Sequence, residues 1–417
     1  MNIEILQQII REGQELIPNI TLVQRPFHYE EKGNYVFVGL RQVGKSYMLY
    51  ARMQELMRSG HNIREMVYIN FDDERIDLQS QDLDLIIQAH KTMSELAPIF
   101  FFDEIQNVEG WERFARRLAN QQYQVYITGS NAKMLSREIA TTLGGRYWNV
   151  SVYPYSFHEY LNATQRKLSD GWQYGGQDAD INRWFSDYFY YGGMPQIPSI
   201  ETKRAWLNDI FSKILFNDIV VRNNVRNDRV LRLVISRLAE NVKQPLALNR
   251  LMNIIKSTGN TLSNNTLEDF MQYIEDSCMI FPVENYAGKF SERNSVKKHY
   301  FTDNGLLNIF LKDPNTSLLE NIVAIELRRR YGDDFYFYRN GVEIDFYVPD
   351  EKIAIQVAWS LAEDDTRQRE INALEVFAEK YEVEKSFIIT RNETSSIISD
   401  KEQKINVIPV WRWMLQI

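Results

Sequence analysis

Four consecutive apolar residues, Tyr35–Val38, run directly into Gly39-Leu40-Arg41-Gln42-Val43-Gly44-Lys45-Ser46. A helix-spaced stretch, Tyr47–Met57, follows. The octet fits G-x-x-x-x-G-K-[ST], and a buried strand entering such a loop at a helix start has few folding solutions. The glycines let backbone N–H groups turn inward on an anion at the positive end of the helix. Lys45 brings a point charge to phosphate oxygens. Ser46 offers a hydroxyl to Mg²⁺, which prefers hard oxygen ligands. Residues Gly39 to Ser46 are therefore expected to hold the phosphates of a nucleotide.

Further along, short apolar runs alternate with amphipathic stretches. Met66–Phe71, Ile99–Phe102 and Val125–Thr128 read as strands, and Leu83–Leu96 and Trp111–Asn120 as helices. Strands with no polar face are buried on both sides, the pattern of a parallel sheet with crossover helices. The spacing predicts an α/β first domain over 1–202, with an N-terminal helix over about 1–20. Residues 203–311 are mostly helical and then give two short strands, the order of elements in a winged helix. Residues 312–417 read as a small α/β unit of order α-β-β-β-α-β, with Asn340-Gly341 as a hairpin turn between Phe335–Arg339 and Val342–Val348.

Two further strand ends carry chemistry. Ile99–Phe102 ends in Asp103-Glu104. Asp103 is placed to hold Mg²⁺ through water, and Glu104 to polarise an attacking water, so the pair points to hydrolysis rather than binding alone. Val125–Thr128 runs into Gly129-Ser130-Asn131, where Ser130 or Asn131 is placed to sense a γ-phosphate.

Composition removes other classes. The one cysteine, Cys278, forms no internal disulfide and leaves no cysteine-based zinc site, which fits a reducing cytoplasm. The five histidines show no metal-ligand spacing. No apolar run approaches the roughly 18 residues of a membrane span, and the N-terminus lacks the marks of a signal peptide. Net charge is −8, which argues against a uniformly basic nucleic-acid coat. By segment the charge is −6 over 1–202, +4 over 203–311 and −6 over 312–417.

The segments GLRQVGKS, FFDEIQNVEGW, ITGSN, LGGRYWNVSVYPYSFHEYL and YYGGMPQ together resemble a large group of bacterial and archaeal AAA-type ATPases with a C-terminal domain of unknown function. The resemblance covers nearly the whole chain. It implies ATP and Mg²⁺ as ligands, Lys45 and Ser46 in the phosphate loop, Asp103 and Glu104 as the acids, and Ser130 or Asn131 as the sensor. Arg146, in the Gly-Gly-Arg before the YPYSF segment, becomes a candidate finger or relay, in cis or toward a neighbouring subunit of a homo-oligomer. The middle segment resembles a winged helix. There Arg222, Arg226 and Arg229 fall on one face at 3.6 residues per turn, a stripe suited to DNA phosphates.

The last segment resembles the PD-(D/E)XK nuclease fold. Glu320 stands for the helix acid, Asp345 (with Glu343 on the same strand face) for the hairpin acid, and Gln356 for the acid of the next strand. Ala358 stands where the lysine would be, which removes the group that positions water, so the unit is expected to be degenerate. The leading reading is a cytoplasmic Mg²⁺-dependent ATPase whose nucleotide state switches the C-terminal region. The alternatives are an ATP-regulated DNA-binding module with slow hydrolysis, or a metal-dependent nuclease using Glu320, Asp345 and Gln356. A protein partner stays open, and no membrane is expected.

Overall fold

A computed structural model describes residues 2–135, 137–260, 262–287 and 296–416, the side chains of 135, 137 and 138 excepted. The segment between the two short strands expected at the end of 203–311 lies largely outside the described residues. The chain forms two compact units, residues 1–153 with 276–278, and residues 154–275 with 279–417.

The first unit is built on strands too apolar to face water. Its elements are α1 (Ile3–Leu16), β1 (Tyr35–Val38), α2 (Lys45–Arg58), β2 (Met66–Asn70), α3 (Asp84–Met93), β3 (Ile99–Asp103), α4 (Trp111–Asn120), β4 (Val125–Gly129), α5 (Arg137–Leu143) and β5 (Trp148–Ser151). The strands form one parallel sheet in the order β2-β3-β4-β1-β5. Every residue of β1, β3 and β4 is buried. Burying a side chain such as Phe102 or Ile127 contributes about 2 kcal/mol each, so these runs hold the sheet in register. This is the P-loop NTPase sheet with flanking helices expected from the sequence. Strand β5 is additional to that reading. It is a four-residue edge strand with Trp148, Asn149 and Ser151 exposed, so it lacks the apolar run that marks its neighbours.

Because the strands are parallel, their carboxyl ends gather on one edge, where ligands of open α/β sheets bind. Gly39 leaves β1 at that edge. A Cβ there would lie 2.1 Å from the Val152 carbonyl oxygen, so only glycine lets the loop pass the end of β5.

The second unit begins with α6 (Phe157–Ala163), α7 (Asp178–Tyr191) and α8 (Lys203–Lys213), then a π-helical turn over Ile214–Val221. Next come α9 (Asp228–Glu240), β6 (Leu246–Ala247), α10 (Leu248–Ser257), α11 (Asn264–Asp276), β7 (Ile280–Val283) and β8 (Val296–Phe301). These three strands pair in the order β6-β8-β7. Helices α12 (Asn304–Asn308) and α13 (Asn315–Tyr331) lead to a six-stranded sheet. It contains β9 (Tyr336–Asn340), β10 (Val342–Val348), β11 (Ile353–Val357), β12 (Lys385–Thr390), β13 (Ser395–Ile398) and β14 (Lys404–Pro409), with α14 (Asp364–Ala378) and α15 (Val410–Leu415). Its order is β13-β14-β12-β11-β10-β9. The expected hairpin forms, but Asn340 pairs with Val342 and Arg339 with Glu343, so the turn centres on Gly341 (φ 80) rather than on a two-residue Asn-Gly loop. No described helix is long and apolar enough to cross a membrane.

Helix α13 is unusual because every residue from Ser317 to Leu327 is buried. Such a helix must find partners for its polar side chains. Asn321 does so by accepting from the Phe301 N–H (2.8 Å) and donating to the Phe301 carbonyl and to Asn304 Oδ1.

The Gly192-Gly193 pair closes on the same region. The Gly193 N–H donates to Asp303 Oδ2 (2.8 Å), and burial pushes the Asp303 carboxyl up to about 6 even with that bond. A Cβ on Gly193 would lie 2.3 Å from the Tyr155 carbonyl oxygen. Gly193→Ala should therefore carry an overpacking cost of about 1–3 kcal/mol. Gly176→Ala, where a Cβ meets nothing within 4 Å, should change little. Thermal unfolding followed by circular dichroism compares them, and equal melting temperatures would contradict the close approach at Gly193.

Candidate active site

The phosphate loop is set by two backbone positions that L-residues rarely adopt. Gly44 has φ 94 and caps α2, whose first residue is Lys45; Gln42 has φ 62. Leu40 and Val43 are buried and anchor the loop, while Arg41 and Gln42 are partly exposed. The Lys45 ammonium is 4% exposed and folded over the loop, donating to the Gly39 carbonyl (3.2 Å) and the Leu40 carbonyl (3.1 Å). It also pairs with Glu104 Oε1 at 3.4 Å.

Asp103 ends β3 with only 2% exposure. Tyr68 Oη donates to its Oδ2 (2.8 Å), the Thr128 hydroxyl donates to its Oδ1, and Ser46 hydrogen-bonds to the same carboxyl. Burial raises the Asp103 carboxyl above the usual range, and these hydroxyls oppose that rise. Glu104 sits in left-handed backbone at φ 52. Burial pushes its carboxyl up, but Lys45, with hydrogen bonds from Gln106 and Ser130, outweighs burial and holds it below the usual range. Glu104 is therefore a carboxylate at neutral pH. Its own N–H donates to Thr128 Oγ1 (3.0 Å), so Thr128 ties both acids to β4.

The residues present suit a magnesium nucleotide. Ser46 and Asp103 are already paired, giving two hard oxygens beside a buried ammonium. Among the described residues no group of three or more His, Cys, Asp or Glu side chains is placed to hold a metal. Mg²⁺ does not need one, since it takes one or two carboxylates and fills its octahedron with water and phosphate. Gln106 Oε1 is buried beside Gly129 without a protein donor among the described residues, an acceptor suited to a polar ligand or water.

Of the other expected residues, Ser130 is buried and joins the Glu104 group through Gln106 Nε2 (3.5 Å). Asn131 Oδ1 instead accepts from the Lys133 N–H (2.9 Å) and shapes the turn after β4. Arg146 lies at the amino end of β5, where Tyr35 pairs with Trp148, whereas the phosphate loop leaves the carboxyl end of β1. The length of the sheet separates them. Arg146 is exposed and donates to the Gly144 carbonyl (2.9 Å), so its side chain does not reach its own phosphate loop in this structure.

The single-face arginine stripe also does not form. It needs a continuous helix, but the chain is irregular from 222 to 227, with Asn224 at φ 52, and α9 starts at Asp228. Arg222 pairs with the buried Asp218 at 3.3 Å, while Arg226 and Arg229 are exposed.

In the second unit Glu320, Glu343 and Asp345 converge. Gln356 does not join them through its side chain. Its Oε1 accepts from the Asp345 N–H and its Nε2 donates to the Glu343 carbonyl, both at 2.9 Å.

Sequence reasoning missed four residues of the first site. Thr128 was visible as the polar end of an apolar strand, and Gln106 as a polar residue two positions past the acids. Nothing local marked Tyr68, whose hydroxyl reaches across from β2. Arg25 was also unmarked. Its guanidinium donates to the Val43 carbonyl in the loop (3.1 Å) and to the Tyr153 carbonyl past β5 (2.8 Å).

The sheet order, the loop and the acid pair at the end of β3 define an AAA-type P-loop fold, the fold of nucleotide-binding ATPases. Residues 31–161 match an AAA domain family model, and residues 182–317 and 315–413 match two domains of unknown function, DUF8612 and DUF4143. An uncharacterised protein of Haemophilus influenzae is 33% identical over 341 residues, covering 79% of this chain and 83% of that protein. An uncharacterised protein of Methanocaldococcus jannaschii is 28% identical over 429 residues, covering 99% and 95%. The chain belongs to the family that the Haemophilus protein represents. The solved Walker-type ATPase of Pyrococcus abyssi superposes with a TM-score of 0.46 at 14% identity, covering 74% of this chain and 95% of that one.

Arg25 gives a test of loop positioning. Arg25→Met keeps the length of the side chain and removes both charge-assisted bonds, so nucleotide affinity should fall about tenfold. Fluorescence titration with a labelled adenine nucleotide reads this, and an unchanged Kd would show that the brace does not position the loop.

Proposed function

We propose that this chain is a Mg²⁺-dependent ATPase whose nucleotide state acts on its second unit. The observation that carries the reading is the convergence of Lys45, Ser46, Asp103 and Glu104 at one edge of the sheet. The loop N–H groups and Lys45 take the β- and γ-phosphates. Ser46 and Asp103 would hold Mg²⁺, which when bound would offset charge on the phosphate oxygens. Glu104, ionised at neutral pH, orients and deprotonates the attacking water.

Lys45 is paired with Glu104. Arriving phosphates compete for that ammonium, and releasing Glu104 from it frees the carboxylate for water. Ser130, hydrogen-bonded within the same group, is the proposed sensor.

The switching part of the reading draws on Arg25. Val43 belongs to the phosphate loop, and Tyr153 is the last residue before the chain enters the second unit. One guanidinium holds both carbonyls. A shift of the loop on phosphate binding would thus be felt where the second unit begins. The effectors in this reading are the winged-helix-like segment within 203–311 and the nuclease-like segment within 312–417.

Two variants test the ATPase. Lys45→Ala should abolish ATP binding. Glu104→Gln should retain binding and lower kcat by about 10²- to 10⁴-fold, the usual worth of a general base. Equilibrium binding and phosphate-release assays separate the two effects. Unchanged turnover in Glu104→Gln would remove that residue from the mechanism.

A further inference from the structure

The nuclease-like reading of the last segment calls for a divalent cation between Glu320 and Asp345. A different cation is already there. Lys298 comes from β8, outside the six-stranded sheet, and its side chain is wholly buried. Its Nζ lies 3.1 Å from Glu320 Oε1, 3.2 Å from Glu343 Oε1 and 3.6 Å from Asp345 Oδ1. An ammonium has three N–H donors, and here three carboxylates surround it.

The surroundings are built for that ammonium. Lys298 and Tyr300 share one face of β8 by the period of two, and Tyr300 Oη donates to the same Glu320 oxygen (2.7 Å). The ammonium also lies 5.5 Å from the centre of the Phe337 ring, within cation–π range. The second Asp345 oxygen accepts from the Val357 N–H (2.8 Å), and Arg339 lies 3.9 Å from Glu343 Oε2. Around the same carboxylates, Glu370 is paired with Arg369. Burial pushes Glu320 up to about 7 even with Lys298 beside it, so without the ammonium this carboxyl would rise further.

A metal ion and an ammonium repel at such distances, and the two cannot share one set of oxygens. We propose that Lys298 is the resident cation of this carboxylate site, so that the native chain takes no divalent metal there and removal of the ammonium turns the site into one that does. Lys298 thereby joins β8 to α13 and β10, and Glu320 acts as an anchoring carboxylate. This proposal does not rest on the ATPase reading.

The test uses the full chain carrying Asp103→Asn, without nucleotide, so that the first site contributes no metal. Mn²⁺ binding is followed by electron paramagnetic resonance. With Lys298 present, no bound Mn²⁺ should depend on Asp345. With Lys298→Ala, the chain should gain one bound Mn²⁺, and adding Asp345→Asn should abolish it. If Lys298→Ala does not fold, a second pair keeps the question open to decision. Lys298→Met should lower the melting temperature, and adding Glu320→Gln should recover part of the loss by removing an unpaired buried carboxylate. Mn²⁺ bound by the Lys298-containing chain and lost with Asp345→Asn would overturn the proposal. So would a folded Lys298→Ala chain that binds none, or a double variant that melts no higher than Lys298→Met alone.

Discussion

The first unit depends on one buried carboxylate held by hydroxyls. Asp103 has almost no solvent exposure, and an isolated charge in that position would be costly. Ser46, Thr128 and Tyr68 come from α2, β4 and β2 and satisfy it from three directions. Each hydroxyl is fixed by the strand or helix that carries it, so sheet register and site geometry are the same constraint. Moving β2 or β4 by one residue would turn Tyr68 or Thr128 away and leave the acid unpaired. Thr128 also accepts from the Glu104 N–H, so Asp103 and Glu104 are tied to the same strand.

The legible part of this protein was the part whose chemistry is written in consecutive residues. The phosphate loop, the Asp103-Glu104 pair and the Asn340-Gly341 hairpin are local patterns, and each lies where its spacing predicts. Residues that act across the fold were hidden. Tyr68 and Asp103 are 35 positions apart, and Arg25 reaches Tyr153 over 128. Helical periodicity misled at Arg222, because it assumes a continuous helix where the chain turns. At Ala358 the sequence showed a missing lysine. It gave no sign that Lys298 would bring an ammonium to the same acids from another sheet.

The second unit shows why its glycines and amides occur where they do. Gly192 and Gly193 lie against Asp303 and Tyr155 at distances no side chain allows. Asn304 donates to the Phe189 and Leu318 carbonyls, linking α7 to α13. Asn321 then completes the Phe301 backbone at the end of β8. These bonds run to main-chain groups of α7, α13 and β8, and they give partners to the polar side chains that a helix as buried as α13 carries.

Strand β5 has a consequence of its own. It closes one side of the first sheet, and among the described residues no strand pairs with its outer flank. An open flank of this kind offers a row of N–H and C=O groups to any extended segment that meets it. Trp148, 61% exposed, adds an adhesive surface to that row. Two features weigh against strand-to-strand stacking at this flank. The strand is only four residues long, and the polar Asn149 and Ser151 interrupt any apolar stripe. Lengthening this strand or making it more apolar would trade solubility for self-association.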